Sequence, residues 1–497
     1  MLLSLRFPGA GFGKDMVTDM EFDLTKPYCR YFNEICSIPH GSGNEKALSD
    51  WLVAFANRHG LSCVQDALWN VVIYKPASAG YEDHPGVIIQ AHMDMVCEKT
   101  PESDHDFEKD PLALYTQGDH LRARGTTLGA DDGMGCAYML TILADDTLMH
   151  PYLECCFTTQ EETGLVGAQA LKPEYFKARR LINLDGAGEY KTYMGMGGGE
   201  QVTLIKPVTW EDNDKPAYRL RLSGLLGGHS GGMIDKERAN AAKLAARVLC
   251  RMEQEGIRFQ LAEFAGGTKH NVIMPEADVL FVTDADPGRI RQIVECAGHE
   301  IAAEYEQSDP DIRICVKPAE PAQRRLTEQD GADLIRLLYL LPNGLLARSP
   351  VVEGEPPVTS ANTGVVRIGE SEAEIVISER SGLECALEEL KRQVTLLGEL
   401  YGAAASYSGY YPGWKYEAES ELRETMKQVF ESIYHKPLAC LIGHGGNECG
   451  VFKKMFPEME IVTSGAIYGN IHTTEEFLDL ASFDRSWTLL TRFLEAL

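Results

Sequence analysis

Five stretches of the chain carry side chains that could bind cations. Gln90-Ala-His92-Met-Asp94 closes an apolar, strand-like run, Gly86–His92. On an extended chain, residues two apart face the same side, so Asp94 can reach the His92 imidazole. A carboxylate on one ring nitrogen fixes the tautomer and leaves the other nitrogen for a metal. Taken alone, His-x-Asp is more often an ordinary hydrogen-bonded pair. Gly125-Thr-Thr-Leu-Gly-Ala-Asp131-Asp132-Gly133 opens a helical pattern. Alone it reads as a turn with an aspartate cap; the chemical alternative is a carboxylate free to bridge two cations. Glu161-Glu162 follows the strand pattern Glu154–Thr159. Such a pair is usually a solvated loop, but beside a metal one member ligates and the other serves a bound water as general base. Asp185 ends the pattern Arg180–Asp185, and His472 lies in Tyr468-Gly-Asn-Ile-His472-Thr-Thr-Glu475-Glu476 after another.

Each piece is ambiguous; their joint placement is less so. Strand ends present His92, Glu161-Glu162 and Asp185, a helix start presents Asp131, and a late segment adds His472. In open α/β sheets, sites form at the carboxyl ends of strands. Histidine with carboxylates, and no cysteine, suits zinc, manganese or cobalt. Asp131, Glu162 and Asp185 bring three negative charges. Two divalent ions and a bridging hydroxide balance them; with one ion the carboxylates would still repel one another.

The elements that must position these groups follow from periodicity. Leu48, Trp51, Leu52 and Phe55 share one helix face, and Gly60 stops that helix. Val71–Lys75 reads as a strand and Gly135–Ala144 as a buried helix. Strand–helix alternation with near-continuous apolar strands predicts an α/β unit: a mixed, mostly parallel sheet with helices on both faces. After the glycine cluster Gly195–Gly199, read as a hinge, the pattern changes. Tyr218–Leu225, Val279–Asp284, Ile312–Lys317 and Glu372–Glu379 alternate as half-exposed strands do, with a helix from about Lys236 to Glu255. The first style returns after Tyr411-Pro-Gly-Trp414. The expected organisation is therefore 1–199 and 412–497 as one domain, with 200–411 inserted as an α+β domain.

The 497 residues carry a net charge of −27, which argues against nucleic-acid and anionic-membrane surfaces. Thirteen scattered cysteines, with no CxxC pair, point to reduced thiols rather than a disulfide framework. The N-terminal apolar stretch is broken by Arg6 and Pro8, poor for a signal peptide, and no apolar run reaches the roughly 18 residues of a membrane span. A cytoplasmic protein is expected.

The stretches QAHMDMV, RARGTTLGADDG, TTQEETG, LINLDG, GGHSGG, PNG, TSANTG, YPGW, ECGVFKK and the His472 segment, in this order, resemble the M20-type metallopeptidases. The resemblance is strongest to their aminoacyl-histidine dipeptidase branch and covers nearly everything after about Lys26. It implies Asp131 as the bridging ligand of two divalent ions, zinc foremost, with His92 and Asp185 completing one site and Glu162 and His472 the other. It implies Glu161 as general base and Asp94 as the residue orienting His92. It makes the inserted domain a lid that also dimerises the protein. In that lid His229 would steady the oxyanion in the partner subunit, and Asn362 and Arg380 would hold the substrate, with Arg380 on the peptide carboxylate. The implied substrates are small peptides, Xaa-His dipeptides including β-Ala-His. Two positions depart from the family pattern: Asp132 stands in place of Asn, and His444-Gly-Gly-Asn447-Glu448 in place of His-Ala-Gly-Leu-Glu. The second puts side-chain preference in doubt, with Glu448 a candidate substrate contact.

Three other readings remain at this stage. An M20-type deacylase acting on N-acyl amino acids would use the same ligands. Gly228-His229-Ser230-Gly231-Gly232 contains G-x-S-x-G, the pattern of a serine hydrolase with Ser230 as nucleophile. A binding scaffold without catalysis would be expected to lack Glu161 or a ligand.

Overall fold

The computed structural model describes residues 22–497 apart from 187, 351 and 353. The N-terminal stretch with Arg6 and Pro8 lies outside the described residues. Val87–His92 and Leu153–Thr158 are buried along their whole length, as strands covered on both faces must be. They form the middle of a six-stranded sheet ordered Ser62–Gln65, Val71–Lys75, Leu153–Thr158, Val87–His92, Arg180–Asn183, Glu460–Thr463. The last four are parallel and the first two antiparallel, the mostly parallel arrangement expected. Register aligns the carboxyl ends: His92 lies beside Thr158, Gln90 beside Asn183, and Asn183 beside Thr463.

The helix Ala130–Ala144 is apolar nearly all round and buried, as such a sequence requires. The ammonium of buried Lys75 donates to the Ile142 and Asp145 carbonyls at 2.8 and 2.7 Å, at the negative end of the helix dipole. Tyr138 of this helix meets Tyr28 of Pro27–Cys36 and Phe483 of Leu480–Ala496, with ring centroids 5.9 and 4.9 Å away. Helices from both chain ends thus pack on the helix that begins with the Asp131 segment. Among the described residues no helix is long and apolar enough to cross a membrane.

The chain divides into two compact units: Met1–Thr192 with Ser420–Ala439 and Glu458–Leu497, and Tyr193–Glu419 with Cys440–Pro457. The second is α+β. Its antiparallel sheet runs Arg313–Pro318, Ala217–Ser223, Ala277–Val282, Gln260–Gly266, Pro357–Ile368, Glu372–Ser381, Gly198–Pro207, Ala404–Tyr411, and Gly344–Arg348 pairs with Pro357–Ile368. Its boundaries differ from the expected 200–411 because Met194 N–H donates to Leu441 O at 2.9 Å and Gly197 N–H to Gly443 O at 3.1 Å. These bonds draw the His444–Glu448 segment into this unit. The glycine cluster has a packing reason: a Cβ on Gly198 would lie 2.2 Å from Gly413 N, so the two chains cross only because both residues are glycine.

One buried group in this sheet makes stability depend on pH. Glu379 is fully buried opposite Glu200 on the neighbouring strand, and neither of its oxygens has a hydrogen-bond partner among the described residues. Burial, then the Glu200 charge, pushes its carboxyl up from an ordinary 4.5 to about 8. The folded chain therefore holds a proton that the unfolded chain releases between those values, so stability falls as pH rises through that window. Glu379→Gln should match the parent near pH 4.5 and exceed it increasingly up to about pH 8. Urea-unfolding midpoints across that range check this, and parallel profiles for the two proteins would contradict it.

Candidate metal centre

The expected ligands converge in the first unit. His92 Nε2 lies 3.2 Å from Asp131 Oδ1, and His472 Nε2 lies 2.9 Å from Glu162 Oε1. One potential ligand atom from each of His92, Asp131 and Asp185 falls within 4.8 Å of the others, and the same holds for Asp131, Glu162 and His472. A third such group, His92, Glu161 and Glu162, overlaps both. The aspartate cap read in this motif falls to Asp132, whose Oδ1 accepts Gly135 N–H at 3.1 Å, and not to Asp131. The Asp131 φ and ψ of −87° and 103° are non-helical, and its carboxylate turns to His92 instead.

The segments that present these groups are held by other carboxylates. Asp94 accepts from Ser42 Oγ at 2.7 Å, Glu161 N–H at 3.0 Å and Glu162 N–H at 3.3 Å. Glu45 Oε1 accepts the preceding amide, Gln160 N–H, at 3.0 Å. Two buried carboxylates therefore cradle the turn that carries Glu161 and Glu162. Asp94 reaches the His92 ring as expected, by hydrogen bond through its main-chain carbonyl and at ion-pair distance through its carboxylate. His92 Nδ1 lies 3.0 Å from Asp94 O and 3.6 Å from the carboxylate, which the turn engages. The carbonyl can only accept, so the Nδ1 proton points to it; Nε2 donates a second proton to Asp131 Oδ1 in the metal-free protein and is the nitrogen left for a metal once that proton is lost. Tyr468, Glu45 and Glu476 escaped the sequence reading, although Tyr468 and Glu476 lie within the quoted His472 segment. The Tyr468 hydroxyl donates to Asp185 Oδ1 at 3.2 Å and Asp131 Oδ1 at 3.4 Å.

Electrostatics within the cluster are strained. Burial, then the Asp131 charge, pushes the Asp185 carboxyl well above the ordinary carboxylate range. Burial also acts upward on Asp131, but the His92 hydrogen bond and charge outweigh it and the net shift is down. Burial lowers the His92 pKa, and Asp131 and Asp94 reverse that, leaving it well above the ordinary value. The Glu162 hydrogen bond raises His472. Crowded carboxylates that share protons with imidazoles are the donor set that divalent cations relieve. The protein residues therefore fit a metal pair, with Asp131 common to both groups.

In the second unit, His229 is exposed, and its Nδ1 accepts Gly231 N–H at 3.1 Å, so the ring proton resides on Nε2. The Asn271 side-chain amide lies 3.4 Å from that nitrogen. A Cβ on Gly231 would stand 2.9 Å from the His229 ring and 3.3 Å from Arg380 Cζ, so these two side chains are neighbours. Arg380 is buried, bonds the Tyr411 hydroxyl, and its Nε has no partner among the described residues. Burial, then the Arg380 charge, lowers the pKa of His229, His270 and His444, the last to about 4. Asn362 does not present a free amide. Its Nδ2 donates to His270 O and Val272 O, each at 2.9 Å, and its Oδ1 faces Asn240 Nδ2 at 3.4 Å. Glu448 is buried at the head of the helix Cys449–Met455. Ser230 is buried and its Oγ has no hydrogen-bond partner among the described residues. A nucleophilic serine needs an adjacent base, so the serine-hydrolase reading fails here.

Comparison with known proteins agrees with this geometry. Residues 88–496 match the model of peptidase family M20/M25/M40. The chain belongs to peptidase family M20/M25/M40. This M20 chain is 35% identical over 475 residues to the cytosol non-specific dipeptidase of Escherichia coli K12, covering 95% of this chain and 97% of that one. It superposes on the aminoacylhistidine dipeptidase of Vibrio alginolyticus with a TM-score of 0.89 and 33% identity, covering 95% and 96%. Aminopeptidase PepT of Bacillus cereus shares the fold at a TM-score of 0.55 and 17% identity, covering 96% and 99%.

The carboxylate cradle predicts a local effect. Asp94→Ala leaves the Glu161 and Glu162 amides without their acceptor, a bond worth about 1 kcal/mol or more each. Hydrogen exchange in peptides spanning 159–165 should quicken severalfold while the helix Pro287–Glu304 is unaffected. Unchanged exchange at 159–165 would show that the turn does not need Asp94.

Proposed function

We propose that this M20 peptidase hydrolyses dipeptides at a two-metal site held by His92, Asp131, Glu162, Asp185 and His472. The observation that carries the reading is the pair of three-residue groups, each within 4.8 Å, that share Asp131. Zinc is the first choice, with manganese or cobalt accepted by the same ligands. When bound, such a pair polarises a carbonyl and brings a water toward neutral pKa.

The side chains supply the rest. Glu161, fixed through its own amide by Asp94, takes a proton from the attacking water and returns it to the leaving amine. The second unit's groups are assigned by their own chemistry. His229 offers a neutral imidazole with an Nε2 proton, suited to an oxygen that gains negative charge. Arg380, a buried guanidinium with an unused Nε–H, suits the free carboxylate of a peptide. Asn362 acts at one remove, by fixing the turn at His270 and Asn271 that leads into the strand Val272–Ile273. We assign the inserted unit as a lid and the active protein as a homodimer.

For substrate, the Vibrio relative is described as an aminoacylhistidine dipeptidase and the Escherichia relative as a non-specific dipeptidase. We infer a dipeptidase that accepts Xaa-His, β-Ala-His among them, without being confined to it. A dipeptide panel, assayed after chelation and stepwise return of metal, should show activity lost and restored, with Xaa-His cleaved and N-acetyl amino acids untouched. Preferential cleavage of N-acyl amino acids would turn the assignment to a deacylase. Glu161→Gln should lower kcat at least ~100-fold while metal content stays at the parent value; a parental rate would remove Glu161 as base.

A further inference from the structure

Glu476 has no part in the chemistry described above, yet its carboxylate is 3% exposed and fully engaged. Oε2 accepts Leu128 N–H at 2.7 Å and Gly129 N–H at 3.1 Å, and Oε1 accepts Ala130 N–H at 2.8 Å. These amides come just before the kink at Asp131 and Asp132 near the start of the helix Ala130–Ala144, and Gly129 has no side chain to offer them. The cap arrives from 346 positions along the chain, and the residue after the last bonded amide is Asp131.

Four residues before Glu476 stands His472. Its φ is +61° and that of Asn470 is +52°, in the left-handed region that non-glycine residues keep only when their surroundings hold them. Several bonds do so. Thr473 Oγ1 donates to Asn470 O at 2.7 Å, Glu476 N–H to Thr473 O at 3.2 Å, and Arg122 Nη1 to Glu475 O at 2.6 Å. The turn that carries His472 is thereby rigid up to Glu476, and the Glu476 carboxylate is rigid against the amides before Asp131.

We propose that Glu476 is the positioning residue that sets His472 at its working distance from Asp131, and so governs affinity for the ion shared by Asp131, Glu162 and His472. This rests on the two-metal reading above. Glu476 bonds to main chain rather than to ligand side chains, so its removal leaves the ligand chemistry intact and loosens only the spacing.

Glu476→Gln retains the side-chain volume but accepts through one oxygen, so one or more of the three amides loses its partner. Cobalt(II) titration of the full chain, followed by visible absorption and metal content after gel filtration, reads the effect. The parent should take up two equivalents. The variant should bind one normally and the other at least ~10-fold more weakly, as loss of a group supporting a ligand typically does. Its kcat should recover in excess metal, which Glu161→Gln should not do. Two equivalents bound at parental affinity by Glu476→Gln overturn the Glu476 assignment and leave the two-metal reading standing. A parent that retains fewer than two equivalents overturns both. Should Glu476→Gln not yield folded protein, Glu476→Asp, which keeps the charge one methylene short, carries the same test.

Discussion

Buried carboxylates bonded to main-chain N–H groups hold this centre together. Its ligand-type side chains come from distant segments and the carboxylates among them repel one another, so the two imidazole–carboxylate contacts alone would not hold the set in place. Asp94 and Glu45 grip the amides of 160–162, and Glu476 grips those of 128–130. Bonds from ionised acceptors to peptide N–H are stronger than neutral ones. They fix backbone rather than side chain, so each determines where the next side chain starts. Asp131, Glu161 and Glu162 all start from positions set in this way.

The surrounding fold makes those clamps possible. A mostly parallel sheet aligns four carboxyl ends, and the residues just beyond them supply His92, Glu161-Glu162, Asp185 and the segment toward His472. Buried charges hold both ends of the segment 128–144: Glu476 binds the amides before the kink at Asp131, and Lys75 binds the carboxyl end of the helix Ala130–Ala144, matched in sign to its dipole. Burying so many carboxylates is costly without compensation. Within the protein, imidazoles, the Tyr468 hydroxyl and retained protons supply part of that compensation. The proposed pair of cations would supply the remainder, giving structural support and metal affinity one origin.

Much of this was legible in the sequence, for a physical reason. Apolar strands announce themselves by unbroken runs, and a polar residue just past such a run has few places to go but the sheet's carboxyl edge. His92, Asp185 and the Glu161-Glu162 pair were readable on those grounds. Glu45 and Glu476 were not, because a buried carboxylate on main-chain amides has the same spelling as a solvated one, and Tyr468 was not, because a hydroxyl turned onto buried carboxylates reads like any core tyrosine. For Asn362, only the fold reveals that its Nδ2 is held by the His270 and Val272 carbonyls and that its Oδ1 faces Asn240. The Gly195–Gly199 run read as a hinge, but its glycines permit chains to cross within one unit. The G-x-S-x-G match at Ser230 was a coincidence of composition, as a buried hydroxyl without a base shows.

The central claim is that two ions sit on one shared aspartate. Anomalous diffraction from zinc-loaded crystals tests it most directly. The account predicts two peaks, one at about 2.0–2.2 Å from His92, Asp131 and Asp185 atoms, the other at a like distance from Asp131, Glu162 and His472. A single peak, or a pair in which Asp131 touches only one ion, would contradict it.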